Sequence, residues 1–369
     1  MEQAKVFFTD MRCPTGVSLL TKMDRLIEAA GFDSIDFTRK FAAIKVHFGE
    51  PGNLAFLRPN FSKVVADRVK KNGGIPFLTD CNTLYVGRRK NAVEHMDAAM
   101  EQGFSPLSTG CQVIIGDGLK GTDDIEVPVE NGKYCQTARI GRAVMDADIF
   151  LSLNHFKGHE VTGFGGALKN IGMGCGSRAG KMQMHNEGKP RISQTKCKGC
   201  RVCARYCAQS AIFYKEDGKA GIDYDKCVGC GRCIGTCNFD AISNWGGIEE
   251  NILNSKIVEY VKAVVAGRPN FHINVVQQVS PYCDCHNESD AAVVPDIGIF
   301  ASFDPVALDL ACARAVIAAP PIPNSCLSQS EDTGRDHFGR MHPRSNWESQ
   351  IEHGEAIGLG TSNYELITL

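Results

Sequence analysis

Two stretches of this chain, KCKGCRVCARYCAQSAI and KCVGCGRCIGTCNFDAI, align without gaps at an offset of thirty residues and match at four cysteines and the Ala-Ile that follows. Each copy carries the spacing Cys-x-x-Cys-x-x-Cys-x-x-x-Cys, which in two-cluster ferredoxins holds [4Fe-4S] clusters, the fourth cysteine of each run ligating the other cluster. The spacing therefore assigns Cys197, Cys200, Cys203 and Cys237 to one cluster, and Cys227, Cys230, Cys233 and Cys207 to the second. Three closely spaced thiolates on a tight loop hold three irons, and the last reaches across. The alternative is zinc or unligated thiols, but zinc sites seldom need four thiolates in such a run, twice. The proline that usually follows the fourth cysteine is replaced by Ala208 and Asn238. Gly199, Gly229 and Gly231 let backbone N–H groups approach the sulfurs.

The rest of the composition narrows the class. The chain has 369 residues and seventeen cysteines; the odd count, the two-residue spacings and the lack of an export signal favour metal chemistry over disulfides. A formal net charge of -2 gives no general attraction to nucleic acid or an anionic membrane, and no transmembrane run is visible, so a cytoplasmic protein is expected. Such cysteine usage suits an anaerobic host.

Up to about residue 175, short apolar runs alternate with amphipathic ones: KVFF then VSLLTKMDRLIEAA, AAIKVHF then FSKVVADRVKKN, PFLTDC then KNAVEHMDAAMEQ, then CQVIIGD and ADIFLSL. This predicts an α/β fold, a mostly parallel sheet with helices on both faces. The stretch SRAGKMQMHNEGKPRISQT reads as a linker. After the cysteine segment the pattern resumes with KIVEYVKAVVAG, HINVVQQV, DIGIFAS and DPVALDLACARAVI, where Asp304 and Pro305 read as an N-cap and first helical residue. Three segments are thus expected: 1–190 as the first part of the α/β domain, 191–248 as an inserted α+β ferredoxin-like two-cluster domain, and 249–369 as the second part. The insert is expected to be a separable module. Between 193 and 247 eight Lys/Arg face five Asp/Glu, and the resulting +3 suits an acidic redox partner.

A second constellation lies in NHFKGHEVTGFGGALKNIGMGCG, where His155, Lys157, His159 and Lys169 sit among glycines that permit close backbone approach to a ligand. The bland reading is a tight crossover with solvated side chains. Ligands of open α/β sheets bind beyond the carboxyl ends of the strands. Thr9, Asp10, His47, Asp80, Cys81, Asp117, His155 and Asp304 all follow predicted strands, and Arg58 adds a cation for an anion. His47, His155, Lys169 and Asp304 are the candidate catalytic residues, expected to line one cavity facing the clusters.

The segments KVHFGEPGN, LRPNF, NHFKGHEVTGFGGALKN, SPYCDCHNESDAAVVPDIGIFASFDPVALD and HGEAIGLGTSNYEL resemble the family catalogued as domain of unknown function 362, over nearly the whole chain. That resemblance implies an iron–sulfur protein with an inserted two-cluster ferredoxin unit and no assigned activity. More remotely, HFKGHEVTGFGGALKNIGMG is similar to a segment of the nickel-pincer lactate racemase family, in which the lysine carries a pyridinium-derived cofactor. On that similarity His155 and Lys169 would be the matching residues. The stretch before Gly-Gly and the Asn-Ile-Gly after the lysine depart from the pattern.

Cys283, Cys285 and His286 follow a predicted strand and offer two thiolates and an imidazole to zinc or iron, with Cys81 or Cys175 as distant partners. The alternative is a pair of packed thiols in a turn. Cys13, Cys111, Cys135, Cys312 and Cys326 read as structural thiols.

The leading functional expectation is an iron–sulfur electron-transfer protein whose α/β domain docks a redox partner or holds a small ligand. Against it stands a reductase or isomerase-like enzyme whose substrate or organic cofactor is fed by the clusters, and a third class is an assembly protein passing metal to a client. No Gly-x-Gly-x-x-Gly after the first strand asks for a nicotinamide, and no motif asks for a flavin or other organic cofactor. Neither nucleic acid nor membrane is an expected partner; homo-oligomerisation stays open.

Overall fold

The computed structural model describes the chain except residues 1–2, 86, 187–188, 208, 228, 230 and 245–249, and excludes the side chains of 186, 244 and 250. Cys230, an expected cluster ligand, thus lies outside the described residues.

The expected sheet is present. Its strands are β1 Ala4–Asp10, β2 Phe41–Lys45, β3 Ile75–Asp80, β4 Gln112–Ile115, β5 Ile149–His155, β6 Asn270–Val276, β7 Gly298–Ser302 and β8 Tyr364–Thr368. They lie in the order β8-β1-β7-β6-β5-β2-β3-β4. β7 pairs antiparallel with both β1 and β6, while the other pairings are parallel. The carboxyl ends of seven strands therefore share one edge, and that of β7 lies at the other.

The longer helices are α1 Leu19–Ala29, α2 Pro59–Lys71, α3 Ala92–Glu101, α4 Ala167–Cys175, α5 Arg178–Asn186, α6 Glu250–Val265, α7 Pro305–Ala318 and α8 Glu348–Ala356. Ser18 caps α1 and Asp304 caps α7, with proline at the first turn of α7 as expected. Strand periodicity divides the core into two layers. On β5, Leu151 and Leu153 join Leu26, Val65 and Ile273 under α1 and α2, whereas Phe150 joins Ile171, Ile257 and Leu308 under α4, α6 and α7. Each such buried side chain contributes about 1.5–3 kcal/mol.

The glycine-rich stretch is not a loop throughout. Lys157–His159 and Gly163–Gly165 form a small hairpin, and ALKNIGMGC is helix α4. The expected linker also needs correction, because its first half is helix α5. Helix formers, with apolar Met182 buried against the cysteine segment and Met184 buried in the main core, outweigh the breaking tendency of Gly180.

The cysteine segment folds as two antiparallel strand pairs, Pro190–Ile192 with Ile242–Asn244 and Ile212–Tyr214 with Ala220–Ile222, plus short helices Val202–Arg205 and Arg232–Thr236. The sequence duplication reappears in the backbone. Gly199 and Gly229 have φ of 62° and 71°, Arg201 and Gly231 of 65° and 64°, and Ser210 and Asp240 both of 48°. The segment is not self-contained, since Leu84 and Met182 of the α/β domain complete its apolar core with Cys203, Ile234 and Cys237. Lys90 also bonds Asp240 at 2.6 Å, and Lys120 lies 3.5 Å from the centre of the Tyr206 ring.

Candidate functional site

Strands β2, β5 and β6 carry polar residues on the face beneath α4: Lys45, Ser152, Asn154, His272 and Asn274, all buried. Buried polar groups need partners, and these find each other. Lys45 Nζ lies 3.0 Å from Asp80 and donates to Asn170 at 2.6 Å, Asn170 donates to Asn154, and Asn274 donates to Asp309 at 2.7 Å. Asp309 also accepts from the backbone N–H groups of Ala167 and Leu168, which fixes the first turn of α4. Burial pushes the Asp309 carboxyl up to about 6, against the pull of these donors.

The fixed helix places Lys169. Its Nζ lies 3.3 Å from the sulfur of Cys283, in the loop after β6. That loop is held from beneath by Asp284, whose carboxylate meets His155 Nδ1 at 2.9 Å and Lys157 at 3.4 Å. Burial opposes the charge of Asp284, but His155 and Lys157 hold its carboxyl below the usual range. From above, Glu50 N donates to Asp284 O and Asn53 Nδ2 donates to His286 O. Asp284 points into the protein, and its neighbours gather round Lys169.

His159 Nδ1 accepts from the N–H groups of Val161 and Thr162, both at 3.1 Å. Its side chain also hydrogen-bonds Cys283. A hydrogen bond from Cys285, the charge of Lys169 and the His159 bond together hold the Cys283 thiol well below its ordinary value, despite burial. Cys285 goes the other way, its thiol raised by that hydrogen bond and by burial.

These groups border a cavity of about 680 Å³ whose lining includes Lys169, Lys181, His185, Glu160, Cys285 and His286. Leu84 lines it too, and Leu84 belongs equally to the apolar core of the cysteine segment. Helix α5 turns Lys181 and His185 to the cavity and Met182 to the cysteines.

Of the four candidate catalytic residues, Lys169 lines this cavity. His155 lies beneath it as an anchor for Asp284, and His47 lies behind it, with Nε2 2.9 Å from Arg89 and burial lowering its pKa well below the ordinary value. Asp304 does not belong to the group. It lies with Ala4 and Gly31 in a different depression and spends its carboxylate on Val306, Ala307 and Thr361 N–H groups. The reason is topological: β7 runs antiparallel, so its carboxyl end is at the other edge. Asp10 pairs with Lys22 and Arg58 is exposed, neither lining the cavity.

Cys81 and Cys175 are also not partners of Cys283, because the Cys81 thiol donates to the Cys175 carbonyl within the core. Glu160 takes that place: donor atoms of Glu160, Cys285 and His286 lie within 4.8 Å of one another. Glu160, Glu50, Lys181 and His185 were missed from sequence. Glu160 is adjacent to His159 in the glycine-rich motif, and Lys181 and His185 have the i, i+4 spacing of one helix face.

The inserted cysteines gather in two further depressions. One is lined by Cys197, Cys200, Cys203 and Cys237, the other by Cys207, Cys227 and Cys233. Backbone N–H groups of Ala220, Ala211 and Ala241 donate to the sulfurs of Cys197, Cys207 and Cys237 at 3.4, 3.3 and 3.3 Å.

Fold and site together define an α/β protein with an inserted cysteine-rich unit beside a cavity at the carboxyl edge of its sheet. The chain belongs to the family described as Domain of unknown function (DUF362), which matches residues 42–314. Among solved structures, it is similar to the lactate racemase apoprotein from Thermoanaerobacterium thermosaccharolyticum, at 11% identity over 73% of this chain and 50% of that one, with a TM-score of 0.36. A Thermotoga maritima protein solved by a structural genomics consortium is similar at 12% identity, over 80% of this chain and 56% of the other, with a TM-score of 0.33. This chain spans about half the length of those two solved chains. No curated protein matches it. Among the described residues, no helix is long and apolar enough to cross a membrane.

Proposed function

We propose that this is an iron–sulfur electron-transfer protein whose insert holds two [4Fe-4S] clusters and exchanges electrons with a ligand or partner at the α/β cavity. The observation that carries the reading is the crossed grouping of cysteines: Cys237 joins the first run and Cys207 joins the second. The donor set fits cubanes. Among the described residues no three of the inserted cysteines bring their sulfurs within 4.8 Å, as one zinc ion would require, and the N–H groups directed at sulfur suit thiolates. Bound there, the clusters would supply one-electron transfer. Cys197, Cys200, Cys203 and Cys237 would hold one and Cys207, Cys227, Cys233 and Cys230 the other. Leu84 and Met182 keep water from the contact between the insert and its parent domain.

A reductase or isomerase-like enzyme is a second reading, favoured by the Lys169–Cys283 contact at the wall of a cavity large enough for a small molecule. Iron and acid-labile sulfide analysis of protein purified without oxygen tests the first reading. About eight irons per chain are expected for two four-iron clusters. Metal-free protein after anaerobic reconstitution would overturn it. A stoichiometric organic chromophore in the same preparation would favour the enzyme.

A further inference from the structure

We propose that Glu160, Cys285 and His286 form a mononuclear site for a borderline divalent ion, zinc or ferrous iron, in the wall of the α/β cavity. This site is separate from the inserted cysteines and does not depend on their holding clusters.

The geometry comes first. One donor atom from each of the three side chains falls within 4.8 Å of the other two, and His286 Nε2 already lies 3.0 Å from Glu160 Oε1. The three come from two loops, one after the short Lys157–His159 strand and one after β6. Each loop has its own ties: Asp284 is anchored on His155 and Lys157, the His286 N–H donates to the Cys283 carbonyl and Asn53 holds the His286 carbonyl, while beside Glu160 the N–H groups of Val161 and Thr162 donate to His159 Nδ1. The ligands are thus brought together by backbone that is already fixed, which lowers the ordering cost of binding an ion.

The donor chemistry selects the metal. A thiolate, an imidazole and a carboxylate suit zinc and iron, whereas magnesium and calcium prefer oxygen throughout. On binding the ion Cys285 would give up its proton, and its thiolate together with the Glu160 carboxylate would then balance the charge of a dication. Three protein ligands leave a fourth position of a tetrahedral ion open, the arrangement of catalytic rather than structural zinc. That position would face the cavity, since all three side chains line it together with Lys169. Glu288, whose carboxylate lies 3.9 Å from His286 Nδ1, is placed to orient the ring from its far side.

The test uses the full-length chain, purified anaerobically with its iron retained. The protein is incubated with zinc chloride, freed of excess by gel filtration, and assayed for zinc and iron together; the zinc shell is read by X-ray absorption at the zinc edge. One zinc per chain is expected, with a single sulfur ligand and nitrogen or oxygen otherwise. Cys285→Ser and His286→Ala should each bring zinc to background with unchanged iron. Glu160→Gln, which preserves shape should the others misfold, should weaken zinc by about tenfold or more in competition with a chromophoric chelator. Absence of saturable zinc in the wild type, or full retention of zinc by these variants, would overturn the proposal. Unchanged iron keeps that outcome distinct from failure of the electron-transfer reading.

Discussion

Asp309, on α7, accepts hydrogen bonds from the N–H of Ala167 at 2.7 Å and of Leu168 at 2.8 Å, joining two segments far apart in the chain. It acts as a cap supplied from another helix, because Gly166, at the N-cap position of α4, has no side chain to do so. Two turns of consequence follow: α4 starts at a fixed point, and Lys169 arrives at Cys283. Asp309→Ala leaves two buried N–H groups and the amide of Asn274 without this acceptor, at a cost of about 1–3 kcal/mol for each group left unpaired. A large drop in melting temperature is expected, and a drop no greater than that of an exposed aspartate would show that water or rearrangement replaces the cap.

The pH dependence of stability carries an opposite pair of contributions. Glu259 is buried on α6 and accepts from the N–H groups of Lys133, Tyr134 and Cys135, with His353 Nε2 at 2.9 Å. Burial works against its charge, but His353 and the three N–H groups lower its pKa. Its stabilisation is therefore present above the ordinary glutamate value and is lost as pH falls through the lower folded value. Asp309 is raised to about 6, so its contribution is full below the ordinary aspartate value and fades as pH rises through about 6. In denaturation series, Glu259→Gln should converge on the wild type in acid, with the gap opening as pH rises through the carboxylate range and holding constant above about pH 5. A constant gap from acid to neutral pH would remove Glu259 from the titration.

How much was legible varied with range in the chain. Strand and helix alternation, the caps at Asp304 and the duplicated cysteines are local patterns, and they reappear as β1 to β7, as α7 and as matching φ values at Gly199 and Gly229. The site was legible in part: Lys169 and the Cys283–His286 segment were found because they follow strands. Asp304 was misplaced because strand direction is a property of the sheet, and nothing local in DIGIFAS says that β7 runs backwards. Glu160 and Lys181 were missed for a similar reason. Their significance lies in what faces them, and that is decided by the packing of α5 and the loop after β6.

The insert is seated by close approach at Gly235. A Cβ there would overlap the guanidinium of Arg178 on α5, which is buried and would have to shift to admit it. Gly235→Val should cost about 1–3 kcal/mol by overpacking and loosen the insert from α5. Faster hydrogen exchange across residues 178–185 would report it. Arg178→Ala in the same chain should recover part of the loss, as expected for residues in contact. Equal exchange in wild type and Gly235→Val would mean that Arg178 yields without loosening the seat.

Crossing of ligands between the two runs makes a prediction that simple proximity in sequence does not. Cys207 ends the first run, yet it lines the depression of Cys227 and Cys233, and its sulfur accepts from Ala211 N–H just as that of Cys237 accepts from Ala241 N–H. If each depression holds a cubane, Cys207→Ala removes one of four ligands from the second cluster and none from the first. The variant should keep about four irons and one reduced paramagnetic signal. Cys197→Ala should lose the complementary signal, and the double variant both. The assignment needs no knowledge of partner or substrate, because the signals are read from the dithionite-reduced protein itself. Loss in Cys207→Ala of the signal that Cys197→Ala also loses would place both residues on one cluster and overturn the crossed arrangement, whatever the total iron count.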